Sequence, residues 1–171
     1  MAKNNFERIL SILKDLKFDY KIIDHPKSHS CNESKQFRDV AGLFWIWSKN
    51  IIFHCKWKYY LVTTHWDKQI KARNFRYEFW SKDIRFASQE EIDLLIKSEI
   101  WSIPPFWFEN TEIPIYVDNE IFENEFFIFN PSDPYKSIQI KTSDLKNIYS
   151  NLGNQVKFFN HKEDEFRIIE N

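Results

Sequence analysis

Glycine is almost missing from this chain of 171 residues: Gly42 and Gly153 are the only two. Alanine is scarce as well, and no Gly/Ser-rich linker, internal repeat or low-complexity tract divides the chain, so one domain with one substantial core is expected over residues 1–171. Cys31 and Cys55 are the only cysteines; two thiols make no disulfide framework and are read as reduced. No apolar run approaches membrane-spanning length, which excludes a transmembrane helix. The N-terminal stretch Met1–Glu7 lacks the apolar centre of a signal peptide, so the cytoplasm is the expected compartment. No serine nucleophile sits in a recognisable elbow with His and Asp partners. His25, His29 and Cys31 lie close together, but no second Cys/His pair completes a ligand set. No metal and no cofactor are expected.

What the chain does have is aromatic bulk, 18% of residues, and charge, 29%. The net charge is only −1, unevenly spread. Residues 1–48 carry +2, residues 49–85 carry +6 and residues 86–171 carry −9. A basic middle in a neutral chain points to a local anionic partner.

Apolar periodicity gives the elements. Phe6, Ile9, Leu10, Leu13 and Leu16 lie at helical spacing, capped by Asn4 or Asn5. A strand follows near 18–23. A helix then starts at Ser30, with Glu33 as its capping-box partner, and stops at Gly42. Two β-branched and aromatic runs, near 49–54 and 58–63, read as a hairpin. Lys49 stands at its entry, either aimed into a cleft or solvated at an edge. Residues 68–80 fit an amphipathic helix with Lys68, Lys71, Arg73 and Arg76 among aromatics, a mixture suited to RNA or to a plain solvated basic face. Ile84–Ala87 is a short strand, and Ser88 with Glu91 opens a helix. Pro104 and Pro105 enforce a stiff loop. Strands are expected near 113–117, 126–129, 137–140 and 156–159, with a helix from Thr142 to Tyr149. The charged tail from Asn160 is expected to be loose. The fold class is α+β: a central mixed, curved sheet with peripheral helices.

Several segments in this order resemble one family. They are Lys49-Asn50-Ile51-Ile52-Phe53 with Tyr60-Leu61-Val62, Ile84–Ser88 with Glu90-Glu91-Ile92, Ser102–Phe106, Pro114–Asp118, Phe129-Asn130-Pro131 and Ser137–Ile140. Together they look like the YbaK/prolyl-tRNA-synthetase-associated editing domain in its free-standing, ProX-like form, over about 18–149. The resemblance implies trans-editing: hydrolysis of the ester that joins a wrong amino acid to a tRNA 3′ end. It implies that Lys49 positions the tRNA terminus and that the main chain of Trp101, Ser102 and Ile103 polarises the carbonyl. Phe53, Pro105, Asp118, Asn130 and Pro131 are then the substrate-binding set, although Asp118 and Asn130 also read as plain turn residues. Lys56, Lys58, Lys68, Lys71 and Arg73 become contacts to nucleic acid. The partners implied are mischarged tRNA and an aminoacyl-tRNA synthetase.

Two departures from the family pattern stand out. Trp101 and Trp107 occupy positions where the family carries glycine. Glycine there permits close backbone approach and unusual φ, whereas tryptophan narrows a small pocket. The alternative reading is therefore a catalytically inactive tRNA-binding or synthetase-associated module of the same fold.

Overall fold

The computed structural model describes residues 4–27, 31–43, 45–106, 110–162 and 165–169. Asn4 and Glu7 form a reciprocal capping box that starts α1 (Asn5–Asp15), whose buried stripe is Ile9 and Leu13. β1 (Tyr20–Asp24) follows, then α2 (Cys31–Val40). The Ser30 cap expected for α2 lies outside the described residues. Gly42 ends that segment at φ 73°, with Leu43 N–H returning to the Arg38 carbonyl at 2.8 Å. Glycine takes this left-handed turn without steric cost.

The hairpin forms as β2 (Ile46–Cys55), longer at both ends than its hydrophobic run suggests, and β3 (Lys58–His65), longer at its C-terminal end. β4 (Ile84–Phe86), α3 (Gln89–Ile96), β5 (Ile115–Asp118), β6 (Phe126–Phe129), β7 (Lys136–Lys141), α4 (Thr142–Asn151), β8 (Val156–Lys162) and β9 (Glu165–Ile169) complete the order. The Ser88/Glu91 capping box is present at the start of α3. The strands run β1-β7-β6-β2-β3-β5-β8-β9 across one mixed sheet, with β4 attached to β2.

β2 is the strand that organises the site. Along its whole length from Ser48 to Cys55 it pairs antiparallel with β3. Its other edge changes partner. Ile46 and Trp47 pair parallel with β6, and Phe53–Cys55 pair with β4. The Ile52 carbonyl accepts from Ala87 N–H at 2.8 Å. Among the described residues, Ser48–Ile51 therefore have no strand neighbour on that side.

The two faces of the sheet are covered differently. α1, α3 and α4 bury Ile9, Leu13, Ile92, Ile96, Leu145 and Ile148 against Ile52, Leu61, Ile115, Val117 and Phe127. The opposite face is an aromatic cluster of Phe53, Phe75, Phe79, Tyr116 and Phe159.

Two expectations are corrected here. Residues 68–80 do not form a helix. Lys71 is extended (φ −108°, ψ 129°), and only Ala72–Phe75 make a 3₁₀ turn. The cause is tertiary: the Lys68 side chain is drawn into the end of β5, and Phe75 and Phe79 are pinned on the aromatic face. Nor is the described part of the tail loose. Residues 165–169 pair with β8, and Phe166 packs 4.8 Å from the Phe75 ring.

Scarce glycine leaves a trace in the hairpin loop. Lys56 sits there at φ 58°, a left-handed conformation that costs a non-glycine residue about 1 kcal/mol. Lys56→Gly is expected to raise the free energy of unfolding by about that amount, read from urea denaturation.

Candidate active site

A cavity of about 220 Å³ opens where β2 has no neighbouring strand. It wraps the free edge, so residues from both faces of β2 reach it. Trp47–Ile52 form its floor, Arg38 of α2 and Trp66 one side, and Phe86 and Ala87 another. The 3₁₀ turn Ile100–Ser102, Ile103 and Asn130 close it. Among the described residues its lining includes two cationic side chains, Arg38 and Lys49, and no carboxylate. The cavity thus favours an anionic or neutral polar guest over a free cation.

Arg38 is only 3% exposed. Its guanidinium lies 5.0 Å over the Trp47 ring, which itself stacks on Trp66 with centroids 4.6 Å apart and planes 17° from parallel. Stacking on an aromatic face suits a guanidinium better than an ammonium, because the planar ion is weakly hydrated.

Strand alternation sends Lys49 and Asn50 to opposite faces. Asn50 faces the loop. Its Nδ2 donates to the Ile103 carbonyl at 2.8 Å and to Ser48 Oγ at 3.0 Å, and its Oδ1 accepts from Thr63 Oγ1 at 2.8 Å. One asparagine therefore fixes the height of the Ile103 main chain over the cavity. Asn50→Ala is expected to destabilise the fold by about 1–3 kcal/mol, because the Ile103 carbonyl and the buried Thr63 hydroxyl both lose their partner. A lowered melting temperature checks this.

Lys49 reaches the other way. Its Nζ donates to the Lys68 carbonyl at 2.8 Å. The Lys68 ammonium in turn meets Asp118 Oδ2 at 2.8 Å, Glu120 Oε2 at 2.5 Å and the His161 carbonyl at 2.6 Å. Asp118, fully buried, also accepts from Thr64 Oγ1 at 2.7 Å. Burial alone pushes the Lys68 ammonium down; its hydrogen bonds to the two carboxylates outweigh that and hold it above the ordinary lysine value. Glu120 is likewise pushed up by burial and brought below the usual range by Lys68. The His161 ring is held down, first by burial and then by the Lys68 charge. His65, Asp118 and Glu120 bring donor atoms within 4.8 Å of one another, as a metal site would. The Lys68 ammonium already supplies the cation for both carboxylates.

The residues expected from the sequence are distributed as follows. Lys49, Trp101, Ile103 and Asn130 line the cavity. Trp101 has an ordinary φ and an indole 61% exposed at the rim, so tryptophan in place of glycine leaves the hollow open. Trp107 lies outside the described residues. Ser102 is buried under the loop: its N–H is spent on the Glu99 carbonyl at 2.9 Å and its hydroxyl on the same carbonyl at 3.3 Å. Asn130 also ties the turn after β6, donating to the Lys136 carbonyl at 2.7 Å. Pro105 is buried, its carbonyl accepting from Tyr149 Oη at 2.9 Å, and Pro131 is buried in the turn after β6. Phe53 belongs to the aromatic core and Asp118 to the ion cluster, neither at the cavity. Lys56, Lys58, Lys71 and Arg73 are exposed, whereas Lys68 points inward.

Sequence reasoning missed Arg38, Trp47, Asn50 and Trp66. The signal for Asn50 was present: an asparagine leading into the apolar run Ile51–Phe53 of a strand needs a side-chain partner.

A profile of the family described as "Aminoacyl-tRNA editing domain" matches residues 25–148. The chain belongs to that family. Among curated proteins it is 21% identical over 155 residues to "Prolyl-tRNA editing protein ProX" of Acetoanaerobium sticklandii, covering 88% of this chain and 94% of that one. A solved structure described as a candidate trans-editing enzyme for prolyl tRNA synthetase superposes with a TM-score of 0.70 at 19% identity, over 91% of this chain and 96% of the other. The hypothetical protein APE2540 superposes at 0.69 with 14% identity, over 87% and 96%. These likenesses establish the α+β editing-domain fold. No helix among the described residues is long and apolar enough to cross a membrane.

Proposed function

We propose that this member of the editing family is a deacylase that hydrolyses the ester of a mischarged tRNA in trans. The observation that carries the reading is one hollow, at the only unpaired stretch of β2 among the described residues, lined both by Lys49 and by the loop carrying Trp101 and Ile103. An aminoacyl ester is already activated, so an oriented water and main-chain donors at the carbonyl can suffice. Ser102 N–H is committed inside the 3₁₀ turn, so the developing oxyanion is assigned to the amides of Trp101 and Ile103 on either side of it. Asn50 holds that main chain in place from below. Lys49 leaves the Lys68 carbonyl and turns to the terminal nucleotide, while Arg38 adds to the positive field at the mouth. The neighbouring ribose hydroxyl of the substrate helps to activate the water. The partners are tRNA and, at a remove, the synthetase that mischarges it.

One observation favours the second reading, a tRNA-binding module without chemistry: the Lys49 ammonium is already satisfied by Lys68. The test is release of labelled amino acid from tRNA pools charged with alanine, serine, threonine or proline. Release above the spontaneous rate from one pool is the expected result. Retention of tRNA with no release from any pool would leave the binding module standing instead.

A further inference from the structure

The β2–β3 loop and the segment before β4 leave large aromatic side chains in water. Trp57 is 79% exposed, Tyr77 93% and Trp80 88%. Packing places the two stretches side by side. Cys55, next to the loop, pairs with Ile84, and Tyr60 stacks on Phe79 with centroids 3.8 Å apart. Phe75 and Phe79 turn inward to the aromatic core. Residues 73, 76, 77 and 80 are left facing out. Around the three rings stand Lys56, Lys58, Arg73 and Arg76, all exposed, and none has a carboxylate partner among the described residues. The acid within this stretch, Glu78, is taken inward by Tyr116 Oη at 2.8 Å and Lys157 at 2.5 Å. Asp83 is the exposed acid nearby.

Such a surface is costly to keep. Exposed indoles invite association, and both Lys56 (φ 58°) and Trp80 (φ 51°) hold left-handed backbone that glycine would adopt without strain. Free cations interleaved with aromatic faces match RNA: the cations meet phosphates and the rings stack on bases. The surface also continues the cavity along β2. Cys55 lies six steps along the strand from Lys49, about 20 Å at a strand's rise. That is a span of several nucleotides, beyond the one that carries the ester.

We infer that this patch is a second RNA contact, in which Trp57 and Trp80 stack on unpaired tRNA bases several nucleotides from the ester while Lys56, Lys58, Arg73 and Arg76 hold the intervening phosphates. The inference rests on the tRNA reading above, and it adds Trp57, Tyr77 and Trp80 to the contacts expected from sequence. It commits the patch to RNA and not to a second copy of the chain.

The test uses the full chain, labelled uncharged tRNA, and an aminoacyl ester of a CCA trinucleotide too short to reach the patch. Trp57→Ala with Trp80→Ala is expected to weaken tRNA binding at least 10-fold. Lys56→Ala with Arg76→Ala is expected to flatten the dependence of log K on log salt by roughly 1.4–1.8. The aromatic double variant should cleave the short ester as the unaltered chain does, and circular dichroism should show both pairs folded. Binding within 2-fold of the unaltered chain, or no tRNA binding by the unaltered chain, would overturn the inference. So would an unaltered chain that sediments as a dimer and becomes a monomer on loss of the two indoles, with tRNA affinity unmoved. Trp-dependent tRNA binding without cleavage of any ester would keep the patch and remove the deacylase reading.

Discussion

Lys49→Ala is expected to slow ester hydrolysis at least about 100-fold while leaving the protein folded. The effect on rate is large because Lys49 brings a positive charge to the free edge of β2, and among the described residues Arg38 is the only other cation lining the cavity. Arg38 cannot replace it: its guanidinium is buried and stacked on Trp47. The effect on stability is small. Lys49 Nζ makes one hydrogen bond, to the Lys68 carbonyl, beside a hollow that admits water, so its loss costs about 1 kcal/mol or less. Lys49→Arg keeps the charge but not the compact ammonium, and is expected to recover only part of the rate. Single-turnover kinetics beside thermal melts separate the two effects. Equal rates for the alanine variant and the unaltered chain would remove Lys49 from the chemistry.

The largest loss of stability is expected from Asp118→Ala. Asp118 is fully buried and holds the Thr64 hydroxyl at 2.7 Å, the Lys68 ammonium at 2.8 Å and Glu120 N–H at 3.1 Å. Removing it leaves a mostly buried ammonium with Glu120 and the His161 carbonyl only, and a buried Thr64 hydroxyl without its acceptor, a loss of about 3–5 kcal/mol. A domain of this size has about 5–15 kcal/mol in all. Activity should fall in step with the folded fraction. Asp118→Asn keeps the shape without the charge and should lie between. The pH dependence follows from the same cluster. Glu120 is depressed in the fold, so its contribution is present above the unfolded value of 4.5 and is lost as pH falls through the lower folded value. Lys68 is raised, so its contribution is complete below 10.5 and is lost as pH rises through the higher folded value. Urea midpoints from acid to alkaline pH should show a plateau between these limits. In Asp118→Ala the alkaline edge should move to lower pH, because one of the two carboxylates that raise Lys68 is gone.

Strands and capped helices were legible because they obey local rules. The Phe126–Phe129 run is fully apolar and forms an interior strand, and Ser88 with Glu91 makes the expected box. The tail misled because charge drew attention away from period. Glu165-Phe166-Arg167-Ile168 alternates like a half-buried strand and forms one, with Phe166 and Ile168 inward. Residues 68–80 misled for the opposite reason. Their spacing suits a helix, but Lys68 is captured by Asp118 and Glu120, fifty residues on, and that ion pair leaves no local mark. The cavity was half legible. Lys49 and the 101–103 loop follow from family order, whereas Arg38 and Trp66 reach it through packing of distant segments.

The measurement that bears most directly on the account is a structure of the chain with a non-hydrolysable analogue, an adenosine bearing an amino acid at its 3′ position through an amide. The analogue carbonyl is expected within hydrogen-bond distance of the Trp101 or Ile103 N–H, with Lys49 swung from Lys68 toward the nucleotide. An analogue bound away from the free edge of β2, with Lys49 still on the Lys68 carbonyl, would contradict it.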